Sequence, residues 1–417
     1  EFRRVLFRSA MPGRVGAAEN VVISEFLAKN TTGITNDVDG AFSDWVELYN
    51  ADTNTVNLEG WCLTDTALLP GKWVFPATNL APGQFMVVWL SDKNRRVPGA
   101  PLHTNFKLSD EGEYLGLVWT DRVTVVSQFA PVFPPQFADI SYGLSNPGGT
   151  NAYLTQPTPG APNSPGTNLV LEMPEFIPPH GFYSNLVRLK LVTDPGVTTY
   201  YTLDGTLPGP TNGFVYTQRI PITNTTIVRA VSYKANRLPS GVRTHTYLYL
   251  DSVIRQTGAG FPATWGSNAT PANYVMDTNI IEDPQWSAGL KSDLRSLPTV
   301  SIVMNMEHLF GTNGIYANPL GEGVEWERPC AVEYIPADCR PGFTINCGIR
   351  IQGSASRDPG FATKHNFRLL FKQIYGSGRL SASLYPGSPV TEFDTLVLHA
   401  GFNDHWNWSG SHGEMQR

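Results

Sequence analysis

Charge is scarce in this 417-residue chain: 16% of its residues are Asp, Glu, Lys or Arg, against roughly 25% in an average soluble protein. Lys and Arg number 30 against 36 Asp and Glu, a net charge of −6, and the only basic cluster is a short arginine group at the N-terminus. Without a basic stripe to neutralise phosphates, nucleic acid and anionic membrane surfaces are disfavoured partners. Long apolar runs are missing too. The longest, Phe85 to Leu90, suits a buried strand and falls well short of the roughly 18 residues a membrane helix needs. Cysteine is equally sparse: Cys62 stands alone, and Cys330, Cys339 and Cys347 share one neighbourhood. That is too few for a disulfide scaffold, and no CxxC spacing offers a zinc site. A Cys330–Cys339 bridge is one option in an oxidising compartment; free thiols are the other.

Glycine (39) and proline (33) are plentiful, and 41% of the residues are hydrophobic. This is a turn-rich composition that still buries enough apolar surface to fold, which argues against disorder for most of the chain. The length points to three or more units. Residues 1–19 are expected to be a disordered or artefactual lead. Glu1 to Ser9 lack the apolar core of a signal peptide, and Arg4 to Ser9 read like a translated sequencing adaptor. The last residues stop without a terminating turn, so the chain reads as a fragment at both ends.

Between residues 20 and 163, Val21-Val-Ile-Ser-Glu-Phe26, Asp44-Trp-Val-Glu-Leu-Tyr49, Gly60-Trp-Cys-Leu-Thr64 and Gln84-Phe-Met-Val-Val-Trp-Leu90 are short β-branched and aromatic runs. Asn, Asp, Gly and Pro clusters separate them. Such spacing predicts an all-β sandwich or barrel. Together with the closing Thr158-Pro-Gly-Ala-Pro-Asn163, these motifs resemble a lamin tail domain, an immunoglobulin-like sandwich found in many exported bacterial proteins. The acidic stretch Asn36 to Gly40, with Asp44 and Glu47, has the oxygen donors for calcium; an Asp-Gly turn between strands accounts for it equally, and the twelve-residue calcium loop is incomplete. Cys62 reads as a buried, inert thiol.

Residues 170–250 continue in strands: Val187-Arg-Leu-Lys-Leu-Val192 alternates, and Thr198-Thr-Tyr-Tyr-Thr-Leu203 runs into Asp204-Gly205, a hairpin signal. The string from Tyr200 to Leu248 resembles the small fibronectin III-like sandwich appended to chitobiases and β-hexosaminidases. The resemblance implies a spacer or a weak glycan contact. Its tyrosines can face a sugar or the sandwich interior. Residues 252–296 mix Gly, Pro, Asn and Trp without sustained periodicity and read as an extended connection.

From residue 297 the pattern sharpens. Phe343, Ile345, Cys347, Ile349 and Ile351 hold one side of a strict period-two run; Phe367, Leu369 and Phe371 hold one side of a second, with Lys364, Arg368 and Lys372 opposite. The loop between them, Gly353-Ser-Ala-Ser-Arg357, could cradle phosphate with its N–H groups and nearby cations. An ordinary solvated basic face would look the same. The motifs Leu297-Pro-Thr-Val-Ser-Ile-Val303, Trp326 to Ile335, Gly342 to Arg357, Lys364-His-Asn-Phe-Arg-Leu369 and Phe393 to Trp406 resemble the amino-terminal half of the CotH family of spore-coat kinases. That resemblance implies a truncated α+β kinase-like domain over 297–417, with ATP and Mg²⁺ as cofactors of the full-length parent and a protein serine as substrate. By motif position it implies phosphate contacts for Lys364, Arg357 and, less directly, Arg368. The family's acidic catalytic residues would lie beyond Arg417, and Asp404 reads as structural.

The expected fold class is therefore mainly β and multidomain: two immunoglobulin-like β-sandwiches followed by a truncated kinase-like domain. The expected setting is extracellular or at the cell envelope. The fragment is expected to be inactive, its parent either a CotH-type kinase or a surface scaffold whose sandwiches contact polysaccharide or protein.

Overall fold

The computed structural model describes residues 20–401 except 35–38, 111, 146–148, 266–269, 338–341, 361, 363 and 386. Strand accounts for 36% of residues and helix for 9%, so the chain is mainly β, as its turn-rich composition requires. It divides into two compact units. One comprises the described residues up to Leu169 together with Ala235–Leu238; the other comprises Val170–Lys234 and the described residues from Pro239 onward.

The first unit packs two antiparallel sheets face to face. One holds five strands in the order Asn151–Leu154, Ser141–Leu144, Val21–Leu27, Asp44–Asn50, Phe85–Leu90; the other holds Trp73–Val74, Cys62–Thr64, Leu115–Val118 and Val125–Phe129. Val21, Ile23, Val46, Leu48, Trp61, Trp73 and Leu117 fill the space between them. A bulge between Ile23 and Glu25 breaks the period-two rule, so Phe26 rather than Glu25 joins this core. The extra residue turns Glu25 outward, opposite Glu47 of the neighbouring strand.

The second unit begins with another sandwich. A sheet of Glu175–Ile177, Val187–Val192 and Ile220–Ile222 faces one of Gly181–Phe182, Arg243–Leu248, Thr226–Tyr233, Thr198–Thr202 and Phe214–Val215. Val187, Leu189 and Leu191 alternate inward, as their spacing predicts. Asp204-Gly205 does turn the chain, with Gly205 at φ 81° and the Asp204 carboxylate accepting from Thr206 N at 3.0 Å. It starts a longer connection to Phe214–Val215 rather than a two-residue hairpin. The tyrosines divide: Tyr201 and Tyr216 pack against the core while Tyr200 and Tyr233, half-buried, pair with each other outside it. Tyr247 and Tyr249 are buried, and Tyr249 donates its hydroxyl to the carbonyls of Ile222 at 2.7 Å and Asn185 at 2.8 Å.

Between residues 252 and 296 the structure differs from the expected extended connection. Pro284–Ser296 is a helix, begun by the Asp283 carboxylate capping Gln285 N at 2.8 Å and by proline at its start. None of its residues is buried. With no apolar stripe to bury, the periodicity that usually marks a helix was absent and only the cap remained as a signal.

The rest of the unit is an antiparallel sheet in the order Thr299–Met304, Arg328–Ile335, Phe343–Gln352, Asn366–Leu370, Thr395–Leu398. Cys347, Ile349 and Ile351 lie in its apolar core with Leu369 and Phe371, and Phe343, Ile345 and Phe367 pack against them. The alternation read from the sequence holds here. Cys330 stands directly opposite Cys347 across two strands, with 3.6 Å between the sulfurs. The expected partner Cys339 lies outside the described residues.

Candidate functional site

Three places gather polar or exposed chemistry, and each arises from a different local cause. The first is the loop after Phe343–Gln352. Gly353, at φ 128°, takes a backbone conformation that L side chains rarely adopt and turns the chain into the short helical turn Ala355–Arg357. Arg357 is 7% exposed. Its guanidinium donates to the carbonyls of Ile351 at 2.6 Å, Gly321 at 2.8 Å and Pro319 at 3.4 Å, and lies 3.5 Å from the Glu322 carboxylate. It ties the segment around Gly321 to the strand. His365, also buried, is paired through Nδ1 with the Ser356 carbonyl at 2.9 Å. A carbonyl can only accept, so Nδ1 carries the proton. Burial lowers the imidazole's pKa further than that hydrogen bond raises it, and the Arg357 charge adds to the lowering.

Of the cations assigned from the sequence, Lys364 is exposed in the bend before the strand, Arg357 is buried and engaged, and Arg368 is half-buried on the face away from the apolar core. Arg368 stands opposite Arg350 in the register, and Arg350 donates to the Gly323 carbonyl at 3.3 Å. Lys372 pairs with Glu327 at 2.7 Å. The loop thus brings Arg357 inside while Lys364 stays at the surface. Among the described residues no group of three His, Cys, Asp or Glu side chains is placed to hold a metal ion. Asp404 lies outside the described residues.

The second place is a buried polar seam where the Arg328–Ile335 and Phe343–Gln352 strands meet Arg243–Leu248. Glu333 is fully buried; it accepts from Thr246 N at 3.0 Å and from the Thr246 hydroxyl, and pairs with His180 Nδ1 at 2.7 Å. Thr246 also meets the Ser301 hydroxyl at 2.8 Å. Thr344 donates to the Thr244 carbonyl and Asn346 to the Val242 carbonyl, both at 3.1 Å. His245 stacks on His180 with ring centres 5.1 Å apart. Burial first, then the charges of His180 and Arg243, push its pKa down to about 3, which keeps it neutral. The sequence reading missed this seam, because Glu333 and Thr246 each occupy an ordinary outward position on their own strand.

The third place is in the first unit. The turn around Thr66–Lys72 and the turn Trp119–Thr124 lie side by side, since a side chain at Gly71 would meet the Arg122 side chain. They present Leu68, 93% exposed, and Val123, 79% exposed, with Leu69 more than half exposed beside them. Each turn is braced from within: Lys72 pairs with Asp65 at 2.6 Å, and the Asp121 carboxylate accepts from Val123 N and Thr124 N.

The acidic stretch weighed for calcium disperses. Asp39 pairs with Lys93 and Arg95, Asp44 accepts from Leu108 N at 3.2 Å, and Glu47 is buried against Ser24 and Gly160. Residues 36–38 lie outside the described residues. Cys62 is fully buried, and burial raises its thiol's pKa while the nearby Arg122 charge opposes the shift.

Comparison with known families matches residues 14–157 to the lamin tail domain and residues 187–247 to a module described as Fn3 associated. No curated protein matches the chain. The two sandwiches are therefore a lamin tail domain of immunoglobulin type and an Fn3-associated domain, folds compatible with binding or scaffolding. Neither match reaches past residue 247, so the kinase resemblance of residues 297–417 rests on its sequence motifs.

Proposed function

We propose that the chain works as a surface-binding scaffold: the lamin tail sandwich engages a polysaccharide or protein partner, and the Fn3-associated sandwich rigidly carries the sheet that follows it. The observation that carries this reading is the pair of braced turns presenting Leu68, Leu69 and Val123. The extracellular or envelope setting belongs to the same proposal, and its support is the exported proteins in which such sandwiches are common.

A second reading keeps the CotH-type kinase as parent, with ATP and Mg²⁺ bound to full-length protein and a protein serine as substrate. What favours it is Lys364, exposed at the end of a glycine-turned loop. Arg357 weighs against a three-cation cradle, because phosphate would have to replace its three carbonyl partners.

One set of experiments separates the two. The chain is sedimented with insoluble cell-wall polysaccharide, with chitin and with cell-envelope protein, and it is titrated with Mg-ATP. Retention that falls at least tenfold in a Leu68→Ser/Val123→Ser variant with an unchanged melting temperature supports the scaffold. Absence of retention on all three materials overturns it. Mg-ATP binding that is lost in Lys364→Ala would support the kinase reading, and binding indifferent to that substitution removes Lys364 from any nucleotide site.

A further inference from the structure

We propose that Cys330 and Cys347 are a modification site: under oxidising conditions they close into a cross-strand disulfide. The inference is independent of the scaffold reading. Residues directly opposite on antiparallel strands have Cα atoms about 4.5 or 5.5 Å apart, depending on which kind of pair they form, and both values fall within the range disulfides span. The register places Cys330 opposite Cys347, and the sulfurs already converge to 3.6 Å. Side-chain rotation therefore suffices, and neither strand has to move.

The bond is made by exchange with an external disulfide, either a small-molecule one or that of a thiol–disulfide oxidoreductase. One cysteine thiolate attacks it, forming a mixed disulfide and releasing one external thiol. The second cysteine then displaces the other. Two S–H bonds of the protein are lost and one S–S bond is gained; the two electrons and two protons end on the two external thiols.

Access decides when this happens. Cys347 is fully buried and Cys330 is 5% exposed. The contact with Cys347 and burial push the Cys330 thiol well above its ordinary pKa, so little thiolate forms in the folded chain. Oxidation is therefore slow once the sheet is built and rapid while it assembles. Cys339, between the two in sequence, competes at that stage.

The test refolds the full chain from denaturant in oxidised and reduced glutathione, with a parallel sample kept folded in the same buffer. Remaining thiols are alkylated with maleimide. Cleavage after Glu333 and after Phe343 puts each of the three cysteines on its own peptide. The expected product is a Cys330–Cys347 linked pair that reductant separates. It should appear at least tenfold faster on refolding than in the folded sample, with a melting temperature about 5–10 °C above that of the reduced protein. A Cys330→Val/Cys347→Val variant keeps the site apolar and packed without either thiol, and its melting temperature should be indifferent to reductant. Linkage of Cys339 to either residue as the main product, or full alkylation of Cys330 and Cys347 after oxidative refolding, overturns the proposal.

Discussion

Glu333 is the acceptor at the centre of the buried seam in the second unit. It is fully buried, and three donors converge on it from the neighbouring sandwich: the Thr246 amide, the Thr246 hydroxyl and His180. A buried carboxylate is expensive to desolvate and is tolerated only when its partners replace water. Removing it leaves the Thr246 amide and His180 without that acceptor, so Glu333→Ala should destabilise the second unit by about 3–5 kcal/mol, read by urea unfolding of the full chain. Glu333→Gln keeps the shape and should lose less. A cost below about 1 kcal/mol for the alanine variant would mean that water replaces the carboxylate and the seam is not a joint. Arg357 shows the same limit of residue-level reading. The sequence marks a cation after a Gly/Ser loop, but whether its fork meets phosphate or carbonyl oxygen depends on where residues 319, 321 and 351 lie.

At the scale of the element, the paired strands Val21–Leu27 and Asp44–Asn50 carry three carboxyls whose pKa values burial raises. The bulge sets Glu25 opposite Glu47 on the outer face, and the closing segment covers both: Thr158 N and its hydroxyl donate to Glu25, and Gly160 N donates to Glu47 at 2.5 Å. Burial pushes Glu47 up to about 7, with the Ser24 and Gly160 hydrogen bonds opposing and the Glu25 charge adding to the rise. Burial likewise raises Asp44 to about 7 and raises Glu25. Since these folded-state values exceed the unfolded ones, their stabilising contribution is complete below about pH 4 and is lost as pH climbs through 7. Asp39, held low by Lys93 and Arg95, and Asp121, held low by Thr124, work in the opposite sense and matter only at acid pH. The first unit should therefore melt higher at pH 5 than at pH 8. Glu47→Gln should remove up to about 3 kcal/mol of that difference, since each pKa unit is worth about 1.4 kcal/mol at full burial. Calorimetry across pH checks it; a slope unchanged in Glu47→Gln would assign the effect to other groups. The sequence displayed both glutamates, and their alternation suggested an ordinary strand. Only the bulge and the returning Thr158–Asn163 segment make them a buried pair.

For the whole molecule, the question is how many pieces fold together. Composition and turn spacing called for several units, and the motif boundaries suggested a sandwich at 170–250, a connection, and a separate domain from 297. The described residues from Val170 onward, apart from Ala235–Leu238, group as one compact unit. Side chains of Glu333, Thr344 and Asn346 bond the backbone of the Val242–Leu248 stretch within it. Scanning calorimetry of the full chain should therefore resolve two transitions, with the Fn3-associated sandwich and the following sheet unfolding together. A third transition, or early loss of the sheet alone, would show the seam to be too weak to couple them.

Much of the architecture follows from the sequence by itself. Alternation in Val187–Val192 and Phe343–Gln352 selects the buried faces, because side chains leave a strand on opposite sides in turn. Proline, glycine and aspartate place the breaks, and the lamin tail motifs announce the first sandwich. Tertiary structure decided whatever depends on residues far apart in the chain: the carbonyls that capture Arg357, the acceptor role of Glu333, the burial of Glu25 and Glu47, and the meeting of Cys330 with Cys347. A strand's own pattern says which way a side chain points, whereas only the partner element determines what it meets there.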